Sequence, residues 1–449
     1  MGKQKAARCL PCNRALSDKT APAPRAAPWI TTRKSRSASI MHYRTDYSAA
    51  LLVSPPEVLE IAGWRLHYQA YSTRQHDPRQ PVLLLGGAFQ SFRSFAAEVE
   101  ELLPSHPLIL LDLPSQGGNM QLAPELGLEQ LADLIAAFAE QLQLPTLMPI
   151  GLSYGSALAA LFAARHPQRC ARLLLAGVTA FGRPGARLLL EEGLALLDEG
   201  RIGEFAQGAL TGLLNPLHLQ DTGVSPVFRK ALLRQIQRLS PTEVERYRQN
   251  SRRLLAFAGF ERHPLCPTLV LAGEHDHFTQ PWEHAHFAAA CAQADCALIH
   301  QADHLAQFER REACAALYRP FLDGRSLPAR SSGSTRLQAE QLLKLEKRCE
   351  PRLAPRQRQA LLQHAEGRQW TVELSELGFF GGLLQGDLPR DLPGRGWQLS
   401  YADLPSQPLL PLRHEDRGLA FVFPHTDAEA SQALAARIHP APLPAAACA

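Results

Sequence analysis

Six short apolar runs interleaved with helical patterns constrain this chain more than any other feature. The runs are Val82–Leu85, Leu108–Leu111, Thr146–Leu152, Arg172–Ala176, Thr268–Ala272 and Ala297–Gln301. They lack polar alternation, as strands buried on both faces of a parallel sheet do. Helical spacing fills Phe92–Leu103, Leu128–Gln143, Gly155–Arg165, Trp282–Ala292 and Phe308–Phe321. Strand and helix in alternation predict an α/β, doubly wound sheet. Ahead of it, Glu57–Ala62 and Arg65–Tyr71 alternate like a hairpin around Gly63.

The rhythm breaks between Phe181 and about His263, where Leu and charge recur at helical spacing. That stretch reads as a helical insertion over the ligand-binding edge of the sheet. Its Leu188, Leu189, Leu190, Leu194, Leu196 and Leu197 make a wide apolar face. Two readings stay open: packing on the sheet, or the roof of an acyl tunnel. Residues 323–337 read as a linker by composition. Beyond them, Trp370–Leu374, Gly382–Leu384, Trp397–Tyr401 and Gly418–Phe423 are β-like runs between Gly and Pro clusters, which suggests a small barrel over 338–440.

Composition excludes several classes. With 45% hydrophobic and 20% charged residues, the chain is neither disordered nor fibrous. No apolar run approaches the ~18 residues of a membrane span. The net charge of +4 comes from residues 1–40, which hold nine Lys/Arg and one acid. The remainder has 38 basic and 42 acidic residues, which argues against a nucleic-acid footprint. Residues 1–40 read as a disordered basic extension, with Met41 as an alternative start. The Cys9–Cys12 pair has no second pair at zinc-site spacing. Nine scattered cysteines and no apolar secretory core predict a cytoplasmic protein.

The chemistry centres on Gly151-Leu-Ser-Tyr-Gly155, between a strand and a helix. A tight strand-to-helix turn of this kind thrusts a serine hydroxyl out at the helix N-terminus. A serine needs a base within hydrogen-bond reach. Asp276 follows the run 268–272 and His304 follows 297–301, each at the end of a strand where α/β sheets place their sites. Ser153, His304 and Asp276 are therefore the expected nucleophile, base and orienting acid. The backbone N–H groups of Ala88, in Gly86-Gly-Ala-Phe-Gln90, and Tyr154 are the expected oxyanion donors. His275, His277, His284 and His286 read as solvated or loop histidines. No metal and no cofactor is assigned.

Leu85-Gly-Gly-Ala88, Leu111-Asp-Leu-Pro114, Gly151–Gly155, Gly273–Asp276 and Asp303-His304, in this order, resemble the alpha/beta-hydrolase family over residues 57–322. The resemblance implies a hydrolase fold with a lid at about 181–263. Gly86–Phe95, Asp112–Gly117 and Ser240–Arg248 further resemble the hydroxyalkanoyl-transferring enzymes of rhamnolipid precursor synthesis. That implies a small-molecule acyl substrate carried on acyl carrier protein. Hydrolysis of an ester or thioester is the first expectation, and 3-hydroxyacyl transfer the second. A catalytically idle receptor is the third.

Glu373-Leu-Ser-Glu-Leu-Gly378, the arm Arg352-Leu-Ala-Pro-Arg356 and the ending Arg417–Phe423 resemble PilZ domains. That resemblance implies cyclic di-GMP held by Arg352 and Arg356, with Ser375 and Gly378 in the turn. Glu373 stands where the family has Asp or Asn. Its carboxylate would repel phosphates, so weak binding or none is expected.

Overall fold

The computed structural model describes residues 40–438 except 180–181, 348–349, 351, 390–391 and 393. The Cys9–Cys12 pair, nearly all of the basic extension and the first residue of the expected lid, Phe181, lie outside the described residues.

One sheet has ten strands: β1 Glu57–Ile61, β2 Trp64–Tyr71, β3 Val82–Leu85, β4 Leu108–Asp112, β5 Met148–Leu152, β6 Leu173–Ala176, β7 Thr268–Gly273, β8 Ala294–Ile299, β9 Arg330–Ser331 and β10 Ser334–Leu337. Their spatial order is β1-β2-β4-β3-β5-β6-β7-β8-β10-β9. From β4 to β8 every neighbour is parallel. Every residue of β3, β4, β5, β6 and β7 is buried. Successive residues serve opposite faces. Leu83 and Leu85 enter one core, with the helices α2 (Leu128–Gln141), α3 (Tyr154–Arg165) and α9 (Pro281–Ala290). Val82 and Leu84 enter the other, with α1 (Ala96–Leu102) and α11 (Arg311–Leu322). Short α10 (Ala306–Glu309) precedes α11.

Between β6 and β7 lies a helical lid: α4 Pro184–Asp198, α5 Ile202–Leu213, α6 Leu219–Thr222, α7 Pro226–Gln237 and α8 Pro241–Ala256. Ser240 starts α8 with a reciprocal cap, its Oγ accepting from Glu243 N while Glu243 accepts from Ser240 N. The lid has its own small core around Leu197, Phe205, Ala206 and Ile236. Phe89 of the loop after β3 stacks on Tyr247 of the lid at 5.2 Å.

The linker expected at 323–337 is corrected in its second half. β10 pairs antiparallel with β8, Ser334 opposite Ile299, and β9 pairs with β10. These strands are short and half polar, so nothing in their own sequence announces them; the open edge of β8 supplies the hydrogen bonds. Leu342, in α12 (Ala339–Leu342), then packs into the core of the sheet.

The C-terminal region is a closed antiparallel barrel in the order β11-β12-β13-β16-β15-β14. Its strands are β11 Gln359–His364, β12 Gln369–Gly378, β13 Gly381–Gln385, β14 Trp397–Tyr401, β15 Gln407–Glu415 and β16 Gly418–Val422; α13 (Ala428–Ile438) closes it. The expected small barrel is present. β11 and β15 escaped the sequence reading because β11 is flanked by Gln and His and β15 carries Pro408 and Pro411. Trp397, Phe379, Phe421 and Phe423 fill its core.

Candidate active site

Ser153 sits between β5 and α3 at φ 49° and ψ −119°, a conformation rare for a residue with a side chain. Close approach forces glycine on either side. A Cβ at Gly151 would lie 2.5 Å from Gly155 O, and one at Gly155 would lie 2.3 Å from Leu85 O. The bend is held through Ser153 N–H, which donates to Ala176 O at 2.8 Å, and through Ser153 O, which accepts from Ser156 and Thr179 hydroxyls.

His304 Nε2 lies 3.0 Å from Ser153 Oγ, and His304 Nδ1 lies 2.9 Å from Asp276 Oδ2. Both side chains of the His–Asp pair are sealed from solvent, at 0% and 1% exposure. With Asp276 accepting at Nδ1, the ring carries its proton there and presents a lone pair to the serine. Burial would raise the Asp276 carboxyl, but the adjacent His304 ring and the donors around it hold it below the ordinary carboxylate value. Thr279 supplies two of those donors: its N–H reaches Oδ1 and its hydroxyl Oδ2, each at 2.8 Å.

The residues expected from sequence at the serine are thus brought together. Ala88 and Tyr154 line the same cavity as Ser153 and His304. Tyr154 opens α3, so its N–H has no acceptor within the helix. Gly87 N–H is already taken by Gln90 Oε1 at 2.6 Å, which leaves Ala88 as the forward donor on that loop.

Three contributors went unread. Thr279 lies three residues after the acid, a spacing at which Asp commonly caps its own turn. Arg183, at the start of the lid, donates to the carbonyls of His277 and Phe278 at 2.7 and 3.1 Å and so holds the acid loop. Gly177 leaves the room the His304 ring occupies. The solvated or loop reading is corrected for His284, which is fully buried in α9 and accepts from Val178 N at 2.8 Å. His277 is a loop residue, and it stacks on Phe380 at 3.4 Å.

The cavity measures about 740 Å³. Lid residues Leu189, Leu190, Leu196 and Phe205 give it an apolar wall. Leu190 also packs into a core of the sheet, while Leu196 and Leu197 join the lid's own core, so the apolar face of α4 serves the cavity, the sheet and the lid itself.

Among the described residues, His218, Asp221 and His275 each offer a ligand atom within 4.8 Å of the others. The two imidazoles stack face to face at 3.8 Å, so their in-plane lone pairs run parallel rather than converge. Both nitrogens of His218 face carboxylates, Asp221 at 3.2 Å and Glu350 at 3.0 Å. Burial opposes charge on His218, but Glu350 and Asp221 together raise it above its ordinary value.

The expected nucleotide residues do not form a comparable site. Arg352 pairs with Glu376 at 2.7 Å, and Ser375 donates to Leu383 O at 3.1 Å across a β-bulge. Arg356 is exposed, and Gly378 faces Gly381 at the hairpin end of β12 and β13.

The family model of the alpha/beta hydrolase fold matches residues 80–311, more than half of the chain. The chain belongs to the alpha/beta hydrolase fold family. It is 24% identical over 276 residues to the (R)-3-hydroxydecanoyl-ACP:CoA transacylase of Pseudomonas aeruginosa, covering 57% of this chain and 85% of that one. It is 32% identical over 100 residues to the poly(3-hydroxyalkanoate) depolymerase of Ectopseudomonas oleovorans, covering 22% of this chain and 35% of that one. Among solved structures, a metagenomic alpha/beta hydrolase, MGS-M2, superposes with a TM-score of 0.51 at 20% identity, over 61% of this chain and 99% of its own. A hydrolase from Pseudomonas aeruginosa PA01 gives 0.50 at 21%, over 60% and 99%. At that identity the structures show the fold. The family and the two relatives make this chain an enzyme of esterase-like or acyltransferase type. No helix among the described residues is long and apolar enough to cross a membrane.

Proposed function

We propose that the enzyme cleaves an ester or thioester of a lipid-like acyl group through an acyl-enzyme on Ser153. The observation that carries this is the 3.0 Å approach of Ser153 Oγ to His304 Nε2 at the edge of a largely apolar cavity. Ser153 Oγ attacks the acyl carbon while its proton passes to His304. The carbonyl electrons move to oxygen, where the Ala88 and Tyr154 N–H groups receive the charge. Collapse expels the alcohol or thiol, which takes the proton from His304. Water, deprotonated by the same ring, then releases the acid. Asp276 stabilises the imidazolium throughout.

A second reading is supported by the transacylase relative. There a 3-hydroxyacyl group replaces water, and the acyl donor rides on an acyl carrier protein. The cyclic di-GMP reading finds no such support, since Arg352 and Ser375 are engaged within the barrel.

The test is a fluorophosphonate probe followed by product analysis. Ser153→Ala is expected to abolish labelling and His304→Ala to do nearly as much, because such residues act as a unit. With a 3-hydroxydecanoyl thioester of acyl carrier protein, free acid is expected. Undiminished labelling of Ser153→Ala places the nucleophile elsewhere. A dominant 3-(3-hydroxyacyloxy)acyl product promotes acyl transfer over hydrolysis.

A further inference from the structure

The cavity beside Ser153 is not enclosed by hydrolase elements alone. Phe380, Phe423, Pro424, His425 and Thr426, all from the C-terminal barrel region, line it alongside the lid. We propose that this barrel edge is a wall of the acyl pocket and sets the length of acyl chain that fits; the proposal rests on reading Ser153 as the acyl nucleophile.

The barrel is seated firmly enough to act as a wall. Phe380 stacks on His277 at 3.4 Å with the rings 7° from parallel. His277 directly follows Asp276, and the next residue, Phe278, packs edge-on against the His304 ring at 5.0 Å. The barrel therefore touches the loop that carries the acid. Further along the seam, the Arg395 guanidinium grips Glu192 of α4, with one contact at 3.1 Å, and Glu199 at 2.5 Å. The lid residue Leu217 packs against the barrel core. α5 approaches so closely that a Cβ at Gly208 would lie 2.8 Å from Pro424 O.

The chemistry of this wall suits a hydrocarbon chain. Two phenylalanines and a proline offer only apolar surface. Thr426 is nearly buried, with its methyl turned toward α5. His425 donates from Nε2 to Phe379 O at 2.9 Å, and burial depresses it to about 3, so it carries no charge. The charged groups that line the cavity from the lid, Arg183 and Glu192, are spoken for by Glu283 and Arg395. Among the described residues of the barrel edge that line the cavity none carries a charge, so an acyl chain lying there is stabilised by burial of its methylenes.

The test reads binding without turnover. In the full-length Ser153→Ala protein, fatty acids from butyrate to palmitate displace a fluorescent fatty acid. Phe380→Ala is expected to raise the affinity for palmitate relative to octanoate about tenfold, the effect of roughly two further buried methylenes. Phe380→Trp is expected to lower the same ratio. Thr426→Leu narrows the wall from the segment between β16 and α13, away from the Phe380–His277 stack, and should also lower it. It carries the test if circular dichroism shows Phe380→Ala to be unfolded. An unchanged ratio in the folded variants overturns the proposal, as does failure of every fatty acid to displace the probe. Fluorophosphonate labelling of unsubstituted protein separates the two readings. Labelling with an unmoved ratio sinks the wall alone. A moved ratio without labelling keeps the wall and sinks the nucleophile.

Discussion

Gly177 and His304 share one space: a Cβ at position 177 would lie 2.8 Å from His304 Cε1. Gly177 follows β6 at φ +65°, in the left-handed region. The ring that faces Ser153 therefore owes its place partly to a missing side chain on a neighbouring strand end.

Gly177→Ala should accordingly displace the His304 ring while the fold survives. The left-handed backbone costs a side-chain residue ~1–2 kcal/mol, tolerable for a domain of this size. A displacement of the base near 1 Å costs about a hundredfold in rate. Ester hydrolysis should fall by about that factor with little loss of thermal stability. Wild-type turnover in Gly177→Ala would show that the ring rests on other contacts.

Thr279→Val should lower kcat about tenfold and leave KM nearly unchanged. The hydroxyl donates to Asp276 Oδ2 at 2.8 Å. A hydrogen bond to a charged group is worth ~1.5–3 kcal/mol, and here it steadies the carboxylate rather than the substrate. Steady-state kinetics separates the two constants. An effect confined to KM would move Thr279 from the charge system to substrate binding.

The carboxyls of Glu98, Asp112 and Glu309 should pull stability down as pH rises from about 4 to about 7. Burial pushes the carboxyls of Glu98, Asp112 and Glu309 up to about 7, each partly opposed by a backbone N–H. Each holds its proton in the folded state over a range where the unfolded chain has lost it. The stability they contribute is therefore full below the ordinary carboxylate values and is lost as pH passes the folded values. Each group steepens the slope by at most ~1.4 kcal/mol per pH unit. Urea titrations from pH 4 to 9 on wild type and Glu98→Gln would read the difference, the variant lacking one group's downward share. Buried His284 and His425, held below their ordinary value, pull the other way, so the sign of the total slope decides nothing; a slope left unchanged by Glu98→Gln would contradict the assignment of Glu98 as protonated.

Gly208→Ala should separate lid from barrel. Its Cβ meets a backbone oxygen, Pro424 O, at 2.8 Å, so one element must shift. Overpacking of this kind costs ~1–3 kcal/mol. Hydrolysis of long-chain esters should drop severalfold, with short-chain esters less affected. Equal losses across all chain lengths would point to a disturbed acid loop instead.

What the sequence determined was local. The tight turn at Ser153 could be read because Gly151, Gly155, the apolar run before them and the helix after them all lie within twenty residues. Asp276 and His304 were legible for the same reason, each following a strand, β7 wholly and β8 half buried, whose apolar run marks its end. Tertiary structure decided the rest. The edge strands at 330–337 exist because β8 offers unpaired backbone groups, a property of the assembled sheet and not of Arg330–Leu337. Gly177 reads as an ordinary turn glycine until His304, brought from 127 residues away, fills the space beside it. Phe380 reads as barrel core until it meets His277, and Arg395 as a surface charge until it meets Glu192. The last three each depend on closing a loop of about a hundred residues or more. Neither propensity nor local periodicity encodes such a contact; it forms because burying two apolar faces against each other outweighs the entropy of bringing them together.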